Sequence, residues 1–199
     1  MGPKRGRRAF FPVSLNVDGR CCVVIGESDD REAIEKAAAL EECGGLVRRL
    51  TDPSSVRDED VRDAFFVIST PQDPHLSARL RALADRHRFL LCCIDQPAYG
   101  FVAMAAVAKA GPVRVAISTA GLAPRVGKKL KEALQRAMDG RFATFVTELG
   151  RRRTETREAH PAPEESQLRR TAAIEATRGF EAEVRFRYPL WFERDDAER

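Results

Sequence analysis

The first hundred residues alternate between short apolar runs and longer segments in which apolar residues recur every three or four positions. The short runs predict four strands, at residues 21–25, 46–50, 65–69 and 89–94, and the first of them, apolar throughout, is expected to be covered on both faces. The longer segments predict two helices, one over residues 30–43 and one that follows Pro74. Strands that alternate with helices predict a parallel sheet. The predicted fold class is therefore α/β, with a Rossmann-like domain over residues 1–100.

The helical spacing also predicts which side chains face the sheet. They are Ile34, Ala37, Ala38 and Leu40 in the first helix, and Leu76, Leu80, Leu83 and Ala84 in the second. Ahead of the first strand, Val13, Leu15 and Val17 alternate with polar neighbours and then meet the turn dipeptide Asp18-Gly19. This alternation predicts a short edge strand that pairs with residues 21–25.

The second half of the chain is predicted to contain a hairpin followed by a helix. Apolar segments 101–108 and 113–118 flank Lys109-Ala110-Gly111-Pro112, which is typical of a β-hairpin. Pro124 suits the first turn of a helix, where its missing N–H has no partner to lose. The helix is marked by apolar residues at every fourth position, namely Val126, Leu130, Leu134 and Met138.

Beyond Gly140 the sequence predicts a small helical region over residues 139–199. Its first helix begins near Phe142 and is expected to end before the charged, proline-containing stretch 151–165. A second helix is predicted over residues 166–178, and alternation at Val184, Phe186 and Tyr188 predicts a terminal strand. Residues 101–138 form the segment between this region and the Rossmann-like domain.

Composition and charge narrow the class of protein. The 199 residues are 43% apolar and 32% charged, with a formal net charge of +4, which is typical of a globular chain with a mixed surface. No apolar run is long enough to cross a bilayer, and the basic N-terminus lacks the apolar core of a secretion signal. We therefore expect a cytoplasmic protein without a membrane partner. The basic cluster Lys4, Arg5, Arg7 and Arg8 has no interleaved aromatic residues, so we expect a solvated tail and no nucleic-acid partner.

The cysteines and histidines predict neither a disulfide framework nor a zinc site. The odd number of cysteines, with adjacent pairs inside apolar runs, indicates reduced thiols that act as small buried hydrophobes; they are Cys21, Cys22, Cys43, Cys92 and Cys93. No Cys/His spacing matches a zinc site, and His75, His87 and His160 are too scattered to form a metal set. Tyr99 and Trp191 are interpreted as packing residues.

Three strand ends offer candidate cofactor-binding residues. The turn after the first strand holds Gly26, Glu27 and Ser28, where a dinucleotide phosphate would lie in this kind of fold. Its carboxylates cap a helix well and repel a phosphate, so a plain helix cap is the favoured interpretation. Asp52 either accepts hydrogen bonds from a ribose or forms the turn before Pro53. The loop that begins with Ser69 and Thr70 either lines a cofactor cleft or caps the next helix at Asp73.

Two further strand ends offer catalytic and substrate-binding candidates. Asp95 stands where a carboxylate can act as a general base or hold a metal ion, although an isolated Asp before Gln96-Pro97 is more often a turn former. Ser118, Thr119 and Gly121 present hydroxyls and amides ahead of a helix N-terminus, which suits an anionic carboxylate. The alternative is an ordinary capping turn.

Three segments of the chain resemble the N-terminal module of siroheme synthase, that is, precorrin-2 dehydrogenase/sirohydrochlorin ferrochelatase. They are FFPVSLNVDGRCCVVIG, LLCCIDQPAYGFVAMAAVAKAGP and VRVAISTAGLAPRVGKKLKEAL, in the family's order and spacing. The last two run without a gap against the family's pattern. The turn after the first strand departs from the family's glycine-rich pattern, and Ala105 stands where the family usually has a proline.

The resemblance implies a function and a set of roles. It implies a homodimer built by the segment 101–138, and NAD-dependent oxidation of precorrin-2 to sirohydrochlorin, with Fe²⁺ as a further substrate in members that are also ferrochelatases. Asp95 matches the family's essential aspartate, proposed as general base and in metal handling, and Thr119 matches a serine beside it. The tetrapyrrole substrate carries many carboxylates, for which Arg125, Lys128 and Lys129 are chemically suited partners.

The degenerate turn leaves a second hypothesis open. A tetrapyrrole-binding or regulatory protein that has lost NAD would also retain the Asp95 region, and so would a chelatase that inserts metal without oxidising its substrate. Binding of NAD and turnover of precorrin-2 distinguish these readings.

Overall fold

The computed structural model describes residues 10–190 and 192. The strands are β1 (Cys21–Ile25), β2 (Leu46–Leu50), β3 (Phe66–Ser69), β4 (Leu90–Cys93), β5 (Ala106–Ala110) and β6 (Val113–Ile117). The α-helices are α1 (Arg31–Glu42), α2 (Pro74–His87), α3 (Pro124–Ala137), α4 (Gly140–Ala159) and α5 (Ser166–Ala176). Short 3₁₀ turns occupy Pro53–Ser55, Asp58–Asp60 and Pro163–Glu165. The trace of the chain falls into two compact units.

The first unit comprises the chain up to Ala108 together with Val115–Leu134. Its four-stranded sheet has the order β2-β1-β3-β4, and all three strand pairs are parallel. One face of the sheet packs through Val23, Val67 and Leu91 against Leu80 of α2. The other face packs through Cys22, Val24, Ile68 and Cys92 against α1. The predicted α/β class is confirmed by this two-faced parallel sheet.

The face that α1 buries differs from the prediction. Its buried residues are Ala33, Ala37 and Leu40, whereas Ile34 is 45% exposed and Ala38 is exposed, so the prediction for these two was wrong. The cause is the close approach of Ala33 to the glycine that ends β1. A Cβ built on Gly26 would lie 2.7 Å from the Ala33 Cβ, so the helix presents Ala33, and with it the 33-37-40 stripe, to the sheet.

The predicted edge strand at residues 13–17 was also wrong. The Asp18-Gly19 turn is present, with Gly19 at φ 64°, but residues 10–17 form no strand. β1 is already paired with β2 on one side and β3 on the other, so no free edge remains for this segment. Val17 is buried in the α1-side core, while Val13 is 72% exposed.

The predicted hairpin is present as a two-stranded sheet of β5 and β6. Its turn is Gly111-Pro112, with Gly111 at φ 52°, so β5 extends through Lys109 and Ala110. Residues 101–105, predicted as part of the first strand, lie outside it. The predicted helix from Pro124 is confirmed as α3.

The second unit comprises Lys109–Arg114 and the chain from Gln135 onward. The Gln135 amide group pairs with the backbone of Lys109, with distances of 3.0 and 2.7 Å. Helix α4 is capped by Asp139, whose carboxylate accepts from the Phe142 amide. Phe180 stacks on Phe145 with ring centroids 5.1 Å apart.

Two predictions in this unit were wrong. Helix α4 continues to Ala159 instead of ending near Arg151, because Arg151 and Arg152 both pair with Glu148 one turn earlier on the helix. The terminal strand is absent: residues 181–189 are irregular, and Val184 and Phe186 are 62% and 59% exposed. Alternating residues form a strand only where a partner strand is available. Trp191 and the N-terminal basic cluster lie outside the described residues.

We expect Gly26→Ala to destabilise the protein by about 2 kcal/mol, because the new Cβ would meet Ala33, the Asp30 carboxylate and the Thr70 hydroxyl in a packed turn. Gly150→Ala is the matched control: nothing lies within 4 Å of its added Cβ in the middle of α4, so it should stabilise by about 0.5–1 kcal/mol. Urea denaturation measures both. Equal behaviour of the two variants would contradict the close packing at Gly26.

Candidate active site

The turn after β1 is held closed by hydrogen bonds around Asp30. The Asp30 carboxylate caps α1 by accepting from the amides of Glu32 and Ala33, at 2.9 and 3.3 Å, and it also accepts from the Thr70 hydroxyl. The Thr70 backbone amide donates to the Ile25 carbonyl at 3.0 Å and Thr70 is buried, so the turn is tied to the ends of β1 and β3. The structure therefore agrees with the interpretation of this turn as a helix cap.

The hydrogen bond from Thr70 lowers the pKa of Asp30, and the amides of Ala33 and Glu32 and the nearby Arg49 act in the same direction. Asp30 is therefore a carboxylate at neutral pH. Its negative charge lies at the positive end of α1, which is the position that favours a phosphate in dinucleotide-binding proteins.

The rest of the turn retains features that fit a dinucleotide. Gly26 is buried and leaves no room for a side chain, and Ala33 supplies the small residue that close packing of helix and strand needs. Within the described chain, the amides of Glu27, Ser28 and Asp29 donate to no protein acceptor. Arg49 donates to the Glu27 carbonyl at 2.9 Å, which brings a cation to this turn. The backbone of the turn therefore fits a diphosphate, while the carboxylates of Glu27, Asp29 and Asp30 oppose its charge.

The other predicted cofactor residues lie at the ends of β2 and β3. Asp52 caps the 3₁₀ turn that follows it, accepting from the Ser54 amide at 3.0 Å and the Ser54 hydroxyl at 2.6 Å. These bonds lower its pKa. Ser69 is fully buried, and its hydroxyl has no hydrogen-bond partner among the described residues. Asp73 caps α2 by accepting from the His75 amide at 2.8 Å, as predicted.

Asp95 follows β4 with a left-handed backbone, at φ 55°. Aspartate tolerates this conformation better than most residues, yet it remains uncommon outside glycine and often marks a functional turn. The carboxylate is exposed and accepts from the Gln72 side-chain amide at 3.1 Å. Gln72 lies in the loop after β3, so the ends of β3 and β4 meet at this carboxylate.

Asp95 lines a cavity of about 390 Å³ in the first unit, together with Ser118, Thr119 and Gly121. The structure thus brings together the predicted catalytic carboxylate and three of the predicted substrate-binding residues. The loop has strained backbone on this side too, with Ala120 at φ 51° and Gly121 at φ 76°. Strain on both walls of one cavity is typical of a functional site.

The hydroxyls of the loop before α3 also serve the backbone. The Ser118 hydroxyl accepts from the Ala120 amide at 3.3 Å, and the Thr119 hydroxyl accepts from the Ala123 amide at 3.4 Å. In both bonds the hydroxyl oxygen is the acceptor, so each hydroxyl keeps its own proton for a ligand. Gly127, the buried residue of α3, faces Thr119, whose Cγ2 would lie 3.6 Å from an added Cβ.

The cation of this cavity was missed by the sequence analysis. Among the residues that line the cavity, the charged ones are Glu32, Lys36 and Asp95. Lys36 pairs with Glu32 one turn earlier on α1, at 3.5 Å, and its side chain is only 25% exposed. The predicted substrate partners Arg125 and Lys128 are exposed on α3 and do not line this cavity. The sequence contained one signal for this cation. Lys36 is next to Ala37, a small residue on the buried face of α1, so Lys36 lies at the edge of that face.

Cys92 and Cys93 form the apolar floor of the cavity. Burial raises the pKa of Cys92 to about 11 and also raises the pKa of Cys93, so both thiols stay protonated at neutral pH. Cys22 is buried as well, and all five cysteines are free. The predicted reduced thiols are confirmed, except that Cys43 is exposed and Cys21 is half-buried.

The described part of the chain contains no group of three or more His, Cys, Asp or Glu side chains arranged to hold a metal ion. The metal role of Asp95 stays a prediction. Over the same residues, none of the helices combines the length and the apolar character needed to cross a bilayer.

Comparison with known proteins agrees with this geometry. Residues 13–106 match a family model described as putative NAD(P)-binding. The chain is 27% identical over 173 residues to the siroheme synthase of Xylella fastidiosa, in a match that covers 77% of this chain and 36% of the relative. It is 30% identical over 95 residues to the precorrin-2 dehydrogenase of Bacillus subtilis, covering 48% of this chain and 58% of the relative.

A solved structure shows the same fold. The precorrin-2 dehydrogenase SirC superposes with a TM-score of 0.63 at 17% identity, covering 95% of this chain and 98% of that chain. The present chain spans about a third of the length of the siroheme synthases that it matches, at 36% of the Xylella fastidiosa protein.

The parallel sheet, the Gly26 turn and the family model together define an NAD(P)-binding domain of the Rossmann class. The similarity to siroheme synthases and to precorrin-2 dehydrogenase is more specific than the fold. This similarity agrees with the resemblance to siroheme synthase N-terminal modules that the sequence analysis found.

We expect Asp30→Asn to raise the affinity for NAD about fivefold, because the amide keeps an oxygen for the helix cap and removes the charge that faces a diphosphate. Isothermal titration calorimetry with NAD measures the change. Asp139→Asn, which alters the equivalent cap of α4, is the control and should leave the affinity unchanged. An unchanged or lower affinity in Asp30→Asn would contradict a cofactor at this turn.

The same variant has a pH signature. Because the pKa of Asp30 is lowered by folding, its stabilising contribution is complete above the unfolded pKa, at pH values above about 5. It is lost as the pH falls through the lowered pKa. The stability difference between wild type and Asp30→Asn should therefore shrink in acid.

Proposed function

We propose that the protein oxidises precorrin-2 to sirohydrochlorin, using NAD. The substrate gives up two electrons and two protons; NAD held at the Gly26 turn would supply the acceptor for both electrons and one proton as hydride, and the other proton would leave through a base. The observation that supports this best is the cavity shared by Asp95, Ser118 and Thr119. It opens beside the carboxyl end of β4, at the edge of the sheet where the Gly26 turn follows β1.

Asp95 is proposed as the general base. Its carboxylate is exposed to the cavity, held by the Gln72 amide, and free to accept a proton from a carbon next to the forming double bond. The left-handed backbone at Asp95 sets the direction in which its side chain extends from the end of β4. The amides of Glu27 and Ser28, the Asp52 carboxylate, and Ser69 with Thr70 are the proposed contacts for NAD.

Substrate carboxylates are proposed to bind Lys36 and the loop before α3. Lys36 is the cation whose side chain reaches the cavity lining, and Ser118 and Thr119 offer hydroxyl donors on the opposite wall. A buried lysine–carboxylate contact is stronger than one on an exposed helix face. The cavity therefore favours Lys36 as the first anchor, and the exposed Arg125 and Lys128 remain candidates for the outer carboxylates.

Asp95→Asn tests the proposed base. We expect a decrease in kcat of roughly 10²- to 10⁴-fold with little change in KM, since the amide keeps the shape and the left-handed backbone but cannot take a proton. The measurement is sirohydrochlorin absorbance after anaerobic mixing with precorrin-2 and NAD. Asp95→Ala is less clean, because alanine at φ 55° adds a conformational cost of about 1 kcal/mol.

Two controls accompany this variant. Asp63→Asn removes an exposed carboxylate outside the cavity and should turn over at the wild-type rate. NAD affinity of Asp95→Asn should equal that of wild type. Full turnover in Asp95→Asn would rule out Asp95 as the base while leaving the reaction itself standing.

Lys36→Gln tests the carboxylate anchor. We expect KM for precorrin-2 to rise about tenfold with kcat nearly unchanged, because a charge-assisted contact is lost in ground and transition state alike. Lys131→Gln, an exposed change on α3, is the matched control and should have the wild-type KM. Steady-state kinetics at fixed NAD measures both. If the KM of Lys36→Gln were unaltered, Lys36 would not be the carboxylate anchor, and Arg125 or Lys128 would take that role.

A homodimer is proposed as the working state. Leu122, just before α3, and Val126, in its first turn, are 68% and 52% exposed, and both lie in the segment 101–138 that the resemblance implies builds the dimer. Apolar side chains at the start of this helix are natural contacts for a second copy. The cytoplasmic location predicted from the sequence is retained in this proposal.

One observation favours a second function. Asp30 opposes a diphosphate at the α1 N-terminus, so a chain that binds the tetrapyrrole without NAD is the alternative. Such a protein would either insert Fe²⁺ into sirohydrochlorin, with the metal ion as substrate, or serve as a binding protein. Metal insertion in the absence of any nicotinamide, together with no oxidation of precorrin-2, would establish the chelatase form.

A further inference from the structure

A second cavity, of about 420 Å³, lies between α4 and α5 within the second unit. Five guanidinium groups line it: those of Arg152, Arg153, Arg157, Arg169 and Arg170. The first three lie on α4 and the last two near the start of α5, so the helical hairpin brings them to one cleft, in which all but Arg169 are exposed. No Asp or Glu is among the residues that line this cavity.

Two of these arginines have structural partners. Arg152 pairs with Glu148 at 3.0 Å, one turn earlier on α4. Arg169 donates to the carbonyls of His160 and Ala162, at 2.6 and 2.7 Å, and so fastens the turn between the two helices. Arg169 also lines the adjoining cavity, whose carboxylate is Glu158.

The other three arginines have no such partners. The side chains of Arg153, Arg157 and Arg170 make no hydrogen bond or ion pair with any residue that the structure describes. Three like charges directed at one cavity repel each other, and an anion between them would reverse the sign of that interaction. The arrangement is therefore that of a receptor for an anion with several charged groups.

The remaining lining indicates what kind of anion fits. Leu149 contributes from α4 and Ala172, Ala173 and Ala176 from α5, while Thr156 and Thr177 add two hydroxyls, so the wall between the guanidiniums is mostly apolar. Inorganic anions gain nothing from such a wall, whereas an organic molecule with an apolar body and peripheral carboxylates is matched on both counts. The lining has no aromatic side chain on which a nucleic-acid base would stack.

We propose that this arginine cleft binds a polycarboxylate with an apolar body, as a site separate from the Asp95 cavity. The proposal is argued from the residues of the cleft alone. It has one feature in common with the proposed function, which is that the ligand is a polycarboxylate. A site of this kind would hold a carboxylate-rich macrocycle outside the catalytic cavity, before or after reaction.

The test uses uroporphyrin, an octacarboxylate porphyrin that is already fully oxidised and is therefore not a dehydrogenase substrate. Fluorescence titration of the full chain measures its affinity, and amide chemical shifts locate it. We expect shifts in α4 and α5, and binding at least tenfold weaker in Arg153→Gln/Arg170→Gln. Arg136→Gln/Arg141→Gln is the matched control, with the same charge loss on exposed positions outside the cleft, and should bind within twofold of wild type.

Each contrary result overturns the proposal in a distinct way. Shifts confined to the Asp95 cavity, or equal losses in the two double variants, would mean that the arginines are a solvated face. Tripolyphosphate that competes at equal concentration would mean that charge alone is recognised. Turnover of precorrin-2 by Arg153→Gln/Arg170→Gln reports on the proposed function separately, since a failed cleft leaves the Asp95 cavity intact.

Discussion

Parallel pairing of β1, β3 and β4 is the constraint on which the candidate site depends. In parallel strands all carboxyl ends meet at one edge, and here the register aligns Ile25 with Ser69 and Ser69 with Cys93. The turn that follows β1, the loop that follows β3 and the carboxylate that follows β4 are thereby adjacent. Gln72 and Asp95 meet across the last two of these loops. A one-residue slip in either strand pair would separate them and turn the buried side chains to the wrong face.

The turn after β1 shows how packing and binding compete in this fold. Gly26 and Ala33 bring α1 against the strand, which is the packing that a dinucleotide-binding turn requires. Asp30 completes that packing through Thr70 and the helix amides, but its charge occupies the end of the helix dipole. The fold is stabilised by the same carboxylate that weakens the site for a phosphate. Arg49 at the neighbouring strand offsets part of that charge.

The sequence predicted an element correctly where its pattern of apolar and polar residues matches the environment that the fold gives that element. β1 was predicted with its observed bounds because CCVVI is apolar throughout, as a strand covered on both faces must be. Asp95 was predicted because the strand ends of a parallel sheet carry ligand-binding residues, and the hydroxyl loop because Ser118 and Thr119 stand ahead of a helix N-terminus. Alternation at residues 13–17 and 184–188 misled, since it describes one side of a strand without showing whether a partner strand is available. Lys36 was signalled only by its place beside Ala37, and the arginine cleft depends on which helix faces meet, which no local pattern contains.

The most direct measurement of the central claim is the rate of sirohydrochlorin formation by the wild-type chain, mixed anaerobically with precorrin-2 in the presence and absence of NAD. Our account predicts turnover that requires NAD and produces one NADH for each sirohydrochlorin. Tetrapyrrole binding without NAD-dependent turnover would contradict it. That result would show that the carboxylate at the start of α1 has displaced the cofactor from this fold.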